Sequence, residues 1–167
     1  QEAISFEAGL RQSLRIREIP VQVNFAAFHM RVRDSLVPYE LPEFPGREFF
    51  RNAGESTHVG AELKAVSRLP GGFSLGIDLT FSDFRYDRFS SGGTDFSDRR
   101  IPGVPEVFGG VSLGYDHPSG LFADWRTRFV GPFYADDANS ERIDEYRVTD
   151  ISVGYRRELG DWIIEPF

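Results

Sequence analysis

The chain contains no cysteine, which removes both a disulfide framework and a thiolate metal site. It has only three histidines, His29, His58 and His117, on separate segments with no two at ligand spacing, so an imidazole-bound metal lacks its donors. No basic tract relieves a formal net charge of -7, and a nucleic-acid partner would need one. No run approaches the roughly 18 apolar residues of a membrane helix, and helical periodicity is not sustained anywhere. What is plentiful is glycine, at 17 residues, and aromatics, at 14% of the chain. Together with period-two patterning these make the fold class all-β: a soluble sandwich, a soluble barrel or a membrane barrel.

About eight strand candidates follow one another. Residues 3–14 set Ile4, Phe6, Ala8 and Leu10 against Glu7, Gly9 and Arg11. Residues 21–33 begin with Val21, Val23 and Phe25 in phase and end with Phe28, Met30 and Val32 in the opposite phase, which predicts a bulge near Ala26. Residues 56–66 set Val59, Ala61, Leu63 and Ala65 against His58, Gly60, Glu62 and Lys64. Residues 73–82 are the cleanest, with five apolar residues from Phe73 to Phe81 opposing Ser74, Gly76, Asp78, Thr80 and Ser82. Strands around 107–116, 121–130 and 149–156 repeat the scheme, and "DWIIEPF" begins an eighth.

The connections alternate in length. Short links fall at 15–20, 67–72, 117–120 and 157–161, and long ones at about 34–48, 87–105 and 135–145. Short turns at one end of a sheet and long loops at the other are the asymmetry of outer-membrane barrels. Strands of about 10 to 14 residues exceed the globular mode and suit a tilted membrane strand. Phe73, Tyr115, Phe122, Tyr155 and Trp162 lie beside short turns, and Phe49, Phe50, Phe84, Tyr86, Phe108, Phe133 and Tyr134 lie towards long loops, which predicts two interfacial aromatic belts.

The segment "ADWRTRF" at 123–129 places Trp125 and Phe129 opposite Asp124, Arg126 and Arg128. An arginine facing lipid at the midplane costs roughly 2–4 kcal/mol, so the charged side must face a wet interior. Glu7, Arg11, Glu62, Lys64, Asp78, Asp150 and Arg156 fall on the matching faces. An interior with this many charges of both signs lines water or packs against a polar plug. Eight strands would put both termini at the long-loop end, and the last candidate is too short to span. The pattern therefore predicts part of a larger antiparallel, up-and-down transmembrane barrel, with sequence missing at both ends.

Several segments, in order, resemble the TonB-dependent outer-membrane receptors. They are "SFEAGLR" (5–11), "VRDSLVPYELPEFPGREFFRNAGESTHVGAEL" (32–63), "SDFRY" (82–86), "IPGVPE" (101–106), "FVGPFYADDAN" (129–139) and "YRVTDISVGYR" (146–156) leading into "WIIEPF". The resemblance covers residues 1–167 as a C-terminal portion of the barrel domain, and it implies a barrel of about 22 strands with a plugged lumen. By the same resemblance the whole protein is a gated receptor in the outer membrane of a Gram-negative bacterium, takes up a ferric siderophore or similar scarce nutrient, and is energised by a TonB-type periplasmic transducer. Its partners are then outer-membrane lipid, the ligand, its own plug domain and that transducer. The plug, the transducer-binding box and the closing strand are not among these residues. The ten charged residues Glu7, Arg11, Glu62, Lys64, Asp78, Asp124, Arg126, Arg128, Asp150 and Arg156 become lumen or plug contacts. The competing reading is a self-contained small barrel with a structural or adhesive role.

In the outer loop "VPYELPEFPGREFF", Tyr39, Phe44, Arg47 and Phe49 make an aromatic and arginine set suited to an anionic chelate, or else a loop folded over its own rings. The acids Asp136, Asp137, Glu141, Asp144 and Glu145 with Asn139 suggest calcium, but without EF-hand spacing a solvated loop is the better reading. His58 beside a serine of a neighbouring strand is a weak hydrolase candidate, since no nucleophile elbow accompanies it. The chain is read as no enzyme, with no cofactor.

Overall fold

The computed structural model describes residues 2–34, 36–41, 43–52, 54–159 and 162–164. Strand β1 (Glu2–Ile16) turns into β2 (Ile19–Arg33) through Arg17 and Glu18 alone. Both turn residues have positive φ, 49° and 71°, which matches the twist of a two-residue hairpin although neither is glycine. The first long connection carries a small hairpin, β3 (Leu36–Glu40) with β4 (Glu48–Asn52). Strands β5 (Glu55–Leu69) and β6 (Phe73–Arg88) join through a tight turn at Pro70–Gly72. A second small hairpin, β7 (Ser90–Ser91) with β8 (Thr94–Asp95), sits in the next long loop. Strands β9 (Val107–Asp116) and β10 (Leu121–Val130) follow, then a third hairpin of β11 (Phe133–Tyr134) and β12 (Arg142–Ile143). Strand β13 (Tyr146–Tyr155) leads to β14 (Arg157–Leu159), which pairs with β15 (Trp162–Ile164).

The seven long strands form one antiparallel meander in the order β1-β2-β5-β6-β9-β10-β13. Its two outer strands, β1 and β13, do not pair with each other, so the sheet is an open arc rather than a closed eight-stranded barrel. The short turns joining β1 to β2, β5 to β6 and β9 to β10 lie at one end and the hairpins β3–β4, β7–β8 and β11–β12 at the other, as the loop lengths predict, while the β14–β15 hairpin follows β13 at the short-turn end.

Register fixes the faces. Arg11, Asn24, Lys64, Asp78, Gly110 and Arg128 stand side by side across six strands. One residue along, Leu10, Phe25, Leu63 and Leu79 form an apolar row on the opposite face. Among the described residues no second layer covers that apolar face: Phe6 is 71% exposed and Ile151 72%. Among the described residues only Val32, Tyr86, Phe89 and Phe122 are buried hydrophobic side chains. A sandwich would have buried its greasy face against a second sheet. Here that face is left uncovered among the described residues.

Two expectations are corrected. The bulge near Ala26 is absent, because β1 and β2 pair without a shift from Ile16↔Ile19 to Glu2↔Arg33. The register shift lies instead between Glu55 and Ser56. With the pleat unbroken, Phe28, Met30 and Val32 turn to the charged face at its long-loop end. The aromatic belt towards the long loops also turns inwards in part. Phe84, Tyr86 and Phe108 share the parity of Asp78 and Gly110, and side-chain direction follows parity. At the short-turn end Phe73 and Tyr115 do face outward, with ring centroids 4.7 Å apart, whereas Phe122 faces inward and is 7% exposed. The Trp162 side chain lies outside the described residues.

Candidate functional site

The charged face is concave. A cavity of about 740 Å³ is bounded by Glu7, Arg11, Glu62, Lys64 and Asp78 together with Asn24 and Thr80. The strands bring these residues together because each contributes one polar residue per pleat at matched register. Arg11 Nε donates to Asn24 Oδ1 at 3.0 Å. Glu7, Glu62, Lys64 and Asp78 form no ion pair among the described residues, even though Lys64 and Asp78 are direct register partners. These charges are held apart on the concave face.

The other five of the ten lie on β10, β13 and the residue after β13. Arg128 pairs with Asp150 at 3.0 Å. Arg156 lies 3.7 Å from Asp116, with its guanidinium carbon 5.3 Å from the centre of the Phe122 ring. Arg126 is the register partner of Asp150 and Ser112, and Asp124 that of Ser152 and Gly114. All ten charges expected on one face are therefore on it, divided between an unpaired cluster on β1, β5 and β6 and a largely paired one around β10 and β13.

At the long-loop end the same face becomes aromatic. His58 stacks on Phe84, with centroids 4.4 Å apart and planes 12° from parallel, and Phe28 meets Phe84 edge-on at 6.2 Å. Gly60 makes room: a Cβ there would meet the Phe28 ring and the carbonyl oxygen of Phe81. Gly60→Val is thus expected to displace Phe28 and destabilise the sheet by about 1–3 kcal/mol through overpacking, read by denaturant unfolding of the protein. This wall was not foreseen, yet stepping by twos from Asp78 to Phe84 shows that the phenylalanine shares the charged face.

Ser56 Oγ lies 3.0 Å from His58 Nε2, on the same strand rather than a neighbouring one. Ser56 is only 2% exposed, and the pair serves to fix the imidazole. His117 bonds to Ser119 within the turn between β9 and β10, and His29 faces outward from β2.

The long connections fold onto one another. Arg100 N–H donates to Asn139 Oδ1 at 2.8 Å, and Asn139 Nδ2 donates back to Arg100 O at 2.9 Å. Tyr86 donates its hydroxyl to Asp137 at 2.9 Å, and Gly103 N–H donates to Tyr134 O at 2.8 Å. Asp136 accepts from the Glu141 N–H at 2.8 Å and from the Ser140 hydroxyl at 2.7 Å. These bonds, the Glu141 amide first, hold its carboxyl below the usual carboxylate range. Asp136, Asp137 and Asp144, the last bonded to Arg142 at 3.0 Å, are therefore engaged in local structure, and among the described residues no three carboxylate or imidazole groups converge as a metal site.

In the first loop, the Phe44 and Phe49 rings lie 5.8 Å apart, and the Arg47 guanidinium carbon is 5.6 Å from the Phe49 centroid. Tyr39 is opposite Phe49 in the β3–β4 hairpin, while its side chain lies outside the described residues. Three of the four residues singled out in this loop are thus together, packed on each other.

The model of the TonB dependent receptor-like β-barrel family matches residues 1–163. The ferrioxamine B receptor of Salmonella typhimurium (strain SL1344) is 29% identical over 110 residues, covering 64% of this chain and 15% of that protein. The ferrioxamine receptor of Yersinia enterocolitica is 27% identical over 115 residues, covering 68% of this chain and 15% of that protein. The chain thus spans only about 15% of the curated relatives it matches. The crystal structure of BauA, the ferric preacinetobactin receptor from Acinetobacter baumannii, superposes over 98% of this chain and 24% of its own, with a TM-score of 0.72 at 17% identity.

Proposed function

Since the chain belongs to the TonB-dependent receptor-like β-barrel family, we propose that it forms one arc of the barrel wall of a gated outer-membrane receptor for a ferric siderophore in a Gram-negative bacterium. The observation that carries this reading is the seven-stranded meander with one bare apolar face and one concave charged face. The apolar face meets lipid, and the charged face lines the lumen. The unpaired Glu7, Glu62, Lys64 and Asp78 hold a polar plug domain and keep the path beside it wet, because charges on such a wall are tolerated only against water or polar partners. Capture falls to the outer loops, where the Arg47 and Phe49 pair suits an anionic chelate. Release requires a TonB-type periplasmic transducer acting on the plug. The role is a carrier's and needs no covalent chemistry.

Two curated relatives are named as ferrioxamine receptors, so ferrioxamine is the first ligand to test. Cells lacking the gene that encodes this segment, grown under iron limitation, are expected to lose uptake of radiolabelled iron presented as ferrioxamine B. The intact gene should restore that uptake, and a protonophore should abolish it. Unchanged uptake of ferrioxamine B and of other ferric siderophores in the deletion strain would sink the reading.

A further inference from the structure

The apolar face changes character towards the long loops. On β2 the outward series runs Val21, Val23, Phe25 and Ala27 and then becomes His29, Arg31 and Arg33. Arg31 is ten residues beyond Val21; at about 3.4 Å per residue and a tilt of about 40° this is about 26 Å, close to the roughly 25 Å apolar band of such barrels. Arg31 and Arg33 therefore stand at the level of the outer headgroups, where an arginine is no longer costly. A cleft of about 410 Å³ is lined by Glu2, Ile4, Phe6, His29, Arg31 and Arg33. Its lower half is greasy, with Ile4 62% and Phe6 71% exposed.

Neighbouring acids neutralise this cleft only in part: Glu2 is the register partner of Arg33, and Asp87 accepts from Thr57, the register partner of Arg31. Glu55 lies 2.6 Å from Arg88 and 3.9 Å from Arg33. Asp83 is shared by Arg85 at 2.9 Å and Arg100 at 3.5 Å. Arg31 forms no ion pair among the described residues, and Glu2 is the one acid in the cleft's lining. An outward guanidinium at headgroup height, directly above exposed apolar side chains, fits a ligand with an anionic head and acyl chains.

Resting on the reading that this face meets the outer membrane, we propose that the cleft between β1 and β2 binds the phosphate-bearing headgroup of an outer-leaflet lipid. Arg31 and Arg33 bind the phosphate oxygens, and the acyl chains lie over Ile4 and Phe6. Such a lipid belongs to the barrel's outer surface and plays no part in ligand passage.

The test uses the complete receptor containing this segment, purified in detergent and titrated with diphosphoryl lipid A under native mass spectrometry. Wild type is expected to retain one such lipid, and Arg31→Gln/Arg33→Gln to bind it at least ten-fold more weakly. Arg31→Lys/Arg33→Lys, which keeps the charge, should fall between them, and Arg15→Gln, at the short-turn end, should match wild type. Heat-modifiable migration in gels confirms that each variant is folded. The proposal is overturned if wild type retains no lipid A, if the glutamine variant binds as tightly as wild type, or if dephosphorylated lipid A binds equally well. Displacement of the lipid by millimolar inorganic phosphate would assign the site to a free anion and overturn it too. Because the readout is lipid retention, failure of ferrioxamine uptake leaves this result independent.

Discussion

Ile77→Arg is expected to destabilise the receptor by about 2–4 kcal/mol, the cost of an arginine facing lipid near the midplane. Ile77 faces outward from β6 between Ala65 and Val111, four residues from the outward Phe73 and six from Asp83. The matched variant Thr80→Arg places the same side chain on the charged face, where Glu62 is its register partner. Its effect should stay within about 0.5 kcal/mol, as for a surface change away from special features. Denaturant unfolding of the two receptors in the same detergent or lipid measures the difference. Equal midpoints would mean that the apolar face does not meet hydrocarbon, and the membrane assignment of the two faces would fail with it.

Phe89→Ala should have a comparable effect, confined to the loops. Phe89 is 2% exposed and packs on Tyr86, itself 3% exposed, with Phe96 and Ile101 against them. Ring centroids lie 4.6 Å from Tyr86 and 5.6 Å from Phe96. Emptying such a site costs about 3–5 kcal/mol. The cluster anchors the loop that bonds to Asn139 and Asp137 of the next one, so the loss appears as local opening of both loops, while the sheet stays folded. Trypsin cleavage after Arg99 or Arg100 on intact cells should accelerate by about two orders of magnitude or more, tracking the population of the open form. Tyr86→Phe, which removes the hydroxyl bond to Asp137, should be felt at about 0.5–1.5 kcal/mol. Cleavage of Phe89→Ala at the wild-type rate would show that the two loops do not open together.

The β fold, the strand lengths, the sorting of short and long connections and the ten charges on one face were all legible in the sequence. Each follows from a local rule: alternate residues of a strand face opposite ways, and charge is excluded from lipid. Where two local rules competed, the sequence was ambiguous. In β2 the change of phase at Ala26 fitted either a bulge or an unbroken pleat with apolar residues turned inward. Pairing with β1 and β5 over their whole length chose the pleat, because a bulge would have broken both ladders. For Phe84 and Tyr86, position near a loop suggested the lipid interface, while parity with Asp78 put them inside.

The sequence by itself determined that this protein makes long amphipathic strands with a charged side, since that information repeats every two residues and needs no partner. Which side chains meet across strands was decided by tertiary structure alone. The stack of His58 on Phe84, the room that Gly60 leaves for Phe28, the tie of Arg100 to Asn139 and the cleft that brings Arg31 and Arg33 above Phe6 all depend on inter-strand register and loop packing. Register is set jointly by turn geometry and by the fit of neighbouring strands, so no single segment contains it.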